Sequence, residues 1–380
     1  MPGVAFASNF LWVMVMGLLG PSLPGMISDL GISYGRAGFF FTLLSLGSLF
    51  GTSIGATLSD SAPRKLLIGG CALCLGVGLA TLGLMPSYPL IALVIFLLSL
   101  LGSPIGAASQ SVMVGTFPQR REKYLSLMTM CAAIGSFVAP LVVSLNYSLS
   151  FSWRWVFIEA AALPAALFVL VLIAPMPRPI RAKKTHGVFA IARNGTVIGC
   201  AACIFLSVAV DIGFSYWLAE YFASSLQVGL RLSSAVVGIY LIGIMCSRAL
   251  VPLVLKALRP KAILVGGLCV ALVGIVLFLL IPSAAAKAAL CALYGMGIGP
   301  VFPLLLARGS REYPSQPGAV SGLLFASLSL GGMAFPLIIG ALASRVGLWR
   351  SYFFPAALVA GLLVAMVLWK DSTASQERMT

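Results

Sequence analysis

Charge is what this chain of 380 residues has least of: nine Asp and Glu, 24 Lys and Arg and one histidine. A soluble domain carries about a quarter of its residues as charges, so this scarcity excludes a water-facing globular surface. The lone histidine, His186, sits in a basic segment away from any Cys, Asp or Glu cluster, and no GxxxxGK[ST] loop occurs. Metal sites and nucleotide-driven motors therefore lack their ligands, and neither a metal nor a cofactor is expected. A nucleophile with its base, or a carboxylate pair facing one pocket, is equally missing, which argues against an enzyme. The eight cysteines (Cys71, Cys74, Cys131, Cys200, Cys203, Cys246, Cys269 and Cys291) all fall inside apolar runs, where a small thiol packs rather than bridges.

What fills the chain instead is hydrophobic: 60% of residues, with a mean hydropathy of +1.08. Apolar runs of about 20 residues, enough to cross a hydrocarbon core of about 30 Å, recur along nearly the whole length. They centre on 4–25, 37–58, 66–85, 89–115, 125–148, 155–175, 196–219, 233–255, 262–281, 284–307, 318–344 and 351–369. The expected fold is an all-α membrane protein of twelve transmembrane helices. The first run has no Lys or Arg before it and holds Gly20, Pro21, Pro24 and Gly25 near its far end, so it reads as a retained span rather than a cleaved signal. Placing both ends in the cytoplasm puts most of the 24 basic residues there too, Arg64, Lys65, Arg120, Arg121, Lys183, Lys184, Lys256, Arg259, Arg308 and Lys370 among them. The formal net charge of +15 is then a topology signal and an attraction to lipid head groups in a cell inner or plasma membrane; no basic segment is interleaved with stacking aromatics, so no nucleic-acid partner is expected.

The sequence also repeats itself. "APRKLLIGG" (62–70) returns as "RPKAILVGG" (259–267), 197 residues on; "SPI" (103–105) returns as "GPV", "GSFVAPLV" (135–142) as "GGMAFPLI" and "WRWVF" (153–157) as "WRSYF", each 196 residues on. Each match falls at the same point of a six-span half, which predicts two copies of one unit: bundles at 1–174 and 196–370, a basic linker at 175–195 with a short amphipathic helix near 188–193, and a tail at 371–380. An even number of spans per copy makes the repeat parallel, with a seam at mid-membrane that rocking exposes to either side in turn. This is the arrangement of a carrier, expected as a monomer. Gly47, Gly51 and Gly55 recur every fourth residue, which allows either sliding helices or close static packing.

Between the second and third spans, "ATLSDSAPRK" (56–65) resembles the loop signature of the major facilitator superfamily, with Asp60, Arg64 and Lys65 matching and Ala56 and Pro63 in place of its glycines. The resemblance implies a cytoplasmic latch in which the acid meets a helix N-terminus and basic partners. In the second half, "VAVDIGFSYWLAEYF", "CSRALVPLVLKALRPKAILVGG", "GIGPVFPLLLA" and "GLLFASLSLGGMAFPLIIGALA" are similar to the fucose permease branch, which implies sugar:proton symport. The first span departs from that branch, having Asn9 and no acid.

Most of the nine acids lie in loops or tails. Glu220, at the outer end of the seventh span, is expected to meet solvent, and Glu159 to form an interfacial pair with Arg154. Asp211 lies some 15 residues into the seventh span, roughly 22 Å along the helix and near the bilayer middle. A charge there costs at least about 2.5 to 3.5 kcal/mol, so it must be protonated, paired or facing a water-filled cavity. Ser207 and Ser215, four residues to either side, extend it into a polar stripe. An apolar setting favours the neutral carboxyl and a nearby cation the ionised one, which suits a proton-coupling group; permanent satisfaction by neighbouring helices is the alternative. Arg248, deep in the eighth span on the face of Tyr240, is placed to hold an anionic or hydroxyl-rich solute or the ionised Asp211, or else to snorkel towards the cytoplasm.

Asn9, Trp12, Gln110, Asn146, Tyr216, Trp217 and Tyr294 complete the candidate lining, because sugars take flat aromatic faces and amide or phenol partners. Pro300 and Pro303 break the tenth helix and would allow a gating bend. The expectation is proton-coupled uptake of a small polar solute, a sugar first. The alternative is drug efflux or organic-anion antiport, since "GSFVAP" in the fifth span partly resembles the superfamily's antiporter signature. The charge bias generates a direct test: a cysteine introduced at Thr185→Cys should resist impermeant thiol reagents added outside intact cells and react only after the membrane is opened.

Overall fold

In a computed structural model the chain is helical throughout the described residues, which are 2–117, 121–174, 194–312 and 317–369; side chains at a few helix positions, Asp60 among them, are not part of that set. The expected linker with its amphipathic helix, and the tail, lie outside the described residues. Among the described residues, twelve helices are long and apolar enough to cross a membrane: α1 Pro2–Leu30, α2 Tyr34–Gly55, α3 Arg64–Leu84, α4 Tyr88–Gln110, α5 Leu127–Ser148, α6 Trp153–Ile173, α7 Gly195–Ser225, α8 Leu230–Val254, α9 Pro260–Leu280, α10 Ala284–Arg311, α11 Gly322–Val346 and α12 Leu348–Leu368. Their order gives the molecule a basic end, where the helix pairs around Ala62 and Arg259 turn, and a far end, where Leu30, Ser148, Ser225 and Val346 lie.

Five helices are interrupted, and each interruption sits at or just upstream of a proline. The breaks fall at Leu18 ahead of Pro21, at Ser103 ahead of Pro104, at Ala161 ahead of Pro164, at Gly299–Pro300 ahead of Pro303, and at Tyr352 ahead of Pro355. Proline has no amide hydrogen to return to the fourth carbonyl before it, and its ring crowds that turn. Not every proline breaks its helix, for Pro140, Pro252 and Pro336 lie inside continuous ones.

The first six helices pack on one another, as do the last six, and equivalent contacts recur at the sequence offset. A side chain at Gly47 would run into the Phe96 carbonyl of α4, and one at Gly243 into the Ala292 carbonyl of α10, so both pairs sit 196 residues apart. The Gly47, Gly51 and Gly55 stripe packs on α4 within its own half, which is the static-packing reading of those glycines. Ser99 and Ser103 of α4 donate to the carbonyls of Leu44 and Ser48, closing the same joint.

Between the halves, α1, α2 and α5 meet α7, α8 and α11. Four hydrogen bonds cross this seam between the middle and the far end. Gly35 donates its amide to Ser344 Oγ (3.0 Å) and Thr42 its hydroxyl to the Met333 carbonyl (2.8 Å). Ser144 donates to the Arg231 carbonyl (2.9 Å) and Ser234 to that of Pro21 (2.9 Å). An aromatic cluster adds to this closure: Phe41 of α2 stacks on Tyr216 of α7 at 4.3 Å between centroids, and Tyr34 meets Trp217 edge-on at 5.7 Å.

The glycine joints generate a paired prediction. Gly243→Val should cost about 2 kcal/mol through overpacking and be read as a lower melting temperature and a poorer monodisperse yield in detergent. Gly266→Val, at a position whose surroundings are open, should leave both near wild type.

Candidate functional site

A cavity of about 260 Å³ lies at mid-membrane on the seam. Its walls come from both halves: Val13, Met16 and Gly17 of α1 and Ala133 and Ser136 of α5 face Asp211, Ile212, Ser215 and Tyr216 of α7, with Leu241, Ile244, Met245 and Arg248 of α8. A wider recess of about 930 Å³ opens on the far face between Asp29, Trp153 and Arg231, beyond the closed seam. The volume of the inner cavity is a little below the roughly 300 to 1,000 Å³ common for drug-sized ligands, so it suits a small solute.

Asp211 is partly exposed to this cavity, and its Oδ1 accepts the Tyr240 hydroxyl at 2.5 Å. Tyr240 is buried, stacks on Tyr294 at 6.0 Å, and so ties the acid to α8 and α10. Tyr294 in turn donates to the Val210 carbonyl (3.0 Å), one residue from Asp211. Arg248 is exposed and lines the same cavity, yet makes no ion pair with Asp211: among the described residues the ion pair seen is Arg154 to Asp29 at 3.0 Å.

Arg248 Nε donates instead to the Gly299 carbonyl (3.1 Å), at the break of α10. The partner that an unbroken helix would give this carbonyl is the amide of residue 303, and residue 303 is Pro303, which has none. One end of the guanidinium therefore replaces the missing helical hydrogen bond. Its remaining donors are left for the cavity.

The other residues singled out from the sequence scatter. Tyr216 lines the cavity while its ring packs on Phe41. Trp217 is fully buried and donates to the Pro336 carbonyl (3.1 Å). Asn9 is buried against α5, its amide donating to the Met128 carbonyl (2.7 Å), and Asn146 donates to the Val142 carbonyl and to Glu159 Oε2, both at 3.2 Å. Trp12 packs on Gly102 of α4, and Gln110 is exposed. None of these last five, nor Tyr294, is among the cavity-lining residues. Ser207 of the expected stripe is buried and donates to the Ile204 carbonyl, whereas Ser215 reaches the cavity. Arg64 is buried at the start of α3, Lys65 is exposed, and the Asp60 side chain lies outside the described residues.

Two expectations are overturned: Glu220 is only 4% exposed, and Arg154 pairs with Asp29 rather than Glu159. Ser136 and the two methionines of the wall were not singled out from the sequence as lining. Ser136 stands within "GSFVAP", quoted above only as a signature, and nothing in the local pattern marks Met16 or Met245.

A duplicated helical bundle with a mid-membrane cavity on its seam defines a membrane carrier. Residues 5–336 match the family model of the major facilitator superfamily, and the chain belongs to that family of transporters. The uncharacterized MFS-type transporter YfkL of Bacillus subtilis (strain 168) is 23% identical over 354 residues, covering 89% of this chain and 87% of YfkL. A bacterial homologue of the human lysosomal transporter Spinster, in an inward-facing and occupied conformation, matches in structure with a TM-score of 0.80 at 12% identity over 96% of each chain. The nucleoside transporter NupG matches with a TM-score of 0.79 at 17% identity over 97% of this chain and 99% of its own.

The α10 break generates a double-mutant prediction. Arg248→Ala strands the Gly299 carbonyl and should destabilise the protein by about 1 to 3 kcal/mol. Pro303→Ala returns an amide to that carbonyl, so the cost of Arg248→Ala should fall to near zero in its background, as read by denaturant or thermal melting of both singles and the double.

Proposed function

We propose that this transporter carries a small amphipathic organic acid together with a proton, by alternating access through the seam cavity. The observation that carries the reading is that Asp211 and Arg248 face one cavity between halves that are hydrogen-bonded to each other from the middle to the far end. An ionised Asp211 competes for Arg248 and repels an incoming anion. A proton on Asp211 removes both effects, so proton and anion favour each other's binding by linkage and cross together. The bound set of acid anion and proton is close to neutral, which eases its passage through an apolar wall.

Cargo chemistry follows from that wall. Val13, Met16, Ile212, Leu241, Ile244 and Met245 offer an apolar bed, and methionines adapt to varied shapes. The amide groups that would read sugar hydroxyls, those of Asn9, Gln110 and Asn146, are not among the lining residues, which favours an amphipathic acid over the sugar of the fucose permease branch. Ser136, Ser215 and the Tyr216 hydroxyl keep a neutral sugar as a second reading.

Alternating access needs two arrangements of the halves. The present one, held together at the far end, corresponds to access from the basic end. The positive-inside bias supports placing that end, with both termini, in the cytoplasm. Opening the far end requires only the loss of a few single hydrogen bonds and one aromatic cluster, each worth about 1 kcal/mol.

The test is uptake of radiolabelled aryl and alkyl carboxylates, with sugars in parallel, into proteoliposomes under an imposed pH gradient. One proton per monoanion predicts accumulation that rises about tenfold per unit of pH difference. Asp211→Asn should lose that accumulation while retaining exchange of labelled for unlabelled solute. An Asn variant that still concentrates solute would refute Asp211 as the coupling group, and uptake of sugars alone would replace the acid reading with the sugar one.

A further inference from the structure

Glu220 is a carboxyl that neither the fold nor the coupling at Asp211 uses. It sits at the far end of α7, two turns beyond Asp211, and is only 4% exposed. No Lys or Arg makes an ion pair with it among the described residues. The groups that face it are neutral. The Tyr34 and Ser224 hydroxyls lie beside its carboxyl; the rings of Tyr147 of α5 and Tyr352 of α12 stand nearby. The last two hydroxyls are engaged elsewhere, donating to the Ser22 and Phe214 carbonyls. The cation of that region, Lys287 of α10, is turned to the next residue, bonding the Tyr221 hydroxyl and the Phe278 carbonyl.

Tyr34 belongs to α2 and Glu220 to α7, so their contact crosses the seam. It stands within the far closure, where Tyr34 meets Trp217 edge-on and the Tyr34 carbonyl lies against Gly340 of α11. Opening the far end must pull Tyr34 away and let water reach the carboxyl. A carboxylate held in this site would have only neutral hydroxyls, and no cation, to offset its desolvation, whereas the protonated acid carries no charge to desolvate.

We infer that Glu220 is the proton-binding site of the far gate: it is protonated while the seam is closed there and ionises into the far aqueous phase when the seam opens. The sign follows directly. The closed state holds the proton more tightly than the open one, so low pH on the far side favours closure and rising pH favours opening. Because Glu220 exchanges protons with one side only, it sets the gate's occupancy without adding to the protons carried per solute. This inference extends the proton-coupled reading above but does not depend on Asp211.

Hydrogen–deuterium exchange of the far-end segments 34–38 and 340–346 tests it, using purified full-length protein in detergent at about pH 5 to 8 and correcting for the intrinsic exchange rate. Wild type should open increasingly as pH rises, approaching about tenfold per unit for a single-proton equilibrium. Glu220→Gln, which keeps the size and a neutral polar group, should stay protected with no pH response, and Asp211→Asn should respond like wild type. Tyr34→Phe, a milder change, should raise exchange several-fold at the acid end while keeping the pH response. A wild type without pH dependence, a Glu220→Gln variant that retains it, or a Tyr34→Phe variant with unchanged exchange at low pH would each overturn the assignment. Failure of Asp211→Asn to abolish accumulation leaves these outcomes untouched, so the two readings fail separately.

Discussion

Hydrocarbon offers a peptide group no hydrogen-bond partner, and this constraint shapes every part of the molecule. It makes helix the form of all twelve spans, since only the i to i+4 ladder satisfies a lone segment. It also gives a cost to each proline that interrupts a span, because a carbonyl is left without its amide. At Gly299 that carbonyl is satisfied by the Arg248 guanidinium. A cation is thereby held at the edge of a mid-membrane cavity for a reason of backbone chemistry, and the same side chain presents its other donors to whatever occupies that cavity. The break in α10 and the charge in the site are one feature.

The same constraint explains how two halves can be joined firmly and still separate. Across the seam the partners are small hydroxyls and backbone groups: Gly35 with Ser344, Thr42 with Met333, Ser144 with Arg231 and Ser234 with Pro21. Each satisfies groups that would otherwise stand bare in an apolar setting, yet each is a single, unbranched bond of modest net worth. Within a half the contacts differ in kind. Gly47 on Phe96 and Gly243 on Ala292 bring helix backbones into direct contact, which stiffens each half. Stiff bundles with a lightly bonded seam are what rocking motion requires.

Charge is used sparingly and with the same logic. Asp211 stands at the cavity with a tyrosine and a distant cation rather than a direct ion pair, so protonating it rearranges attractions instead of breaking a bridge. The one ion pair seen among the described residues, Arg154 with Asp29, lies at the far face, where Trp153 also donates to the same carboxylate. Family membership and the fold shared with NupG and the Spinster homologue extend across most of the chain, while the pairwise identities of 12 to 23% leave cargo to the particular side chains of the seam.

Twelve spans and the break at Pro300 and Pro303 follow from hydropathy, run length and the missing amide of proline, all local properties, and so they were legible in the sequence alone; the other breaks were not, since Pro140, Pro252 and Pro336 leave their helices continuous. The duplication was legible as well, because it is a property of order along the chain, and Gly47 with Gly243 shows it surviving as a contact. Which face of each helix meets lipid, a neighbouring helix or the seam was not legible. In a membrane both lipid and protein interior are apolar, so the periodicity that orients a helix in a soluble protein carries little information. Asn9 and Trp217 therefore had the right chemistry for a binding site and turned out to bond the backbone of neighbouring helices, while Asn146 bonds the Val142 carbonyl of its own helix and the Glu159 carboxylate of α6. Ser136 and Met245 were unremarkable residues until packing placed them on the cavity wall. Glu220 was expected in water on the strength of its position near a helix end. Only the closure of α2 over α7, a contact between residues nearly 190 positions apart, buried it.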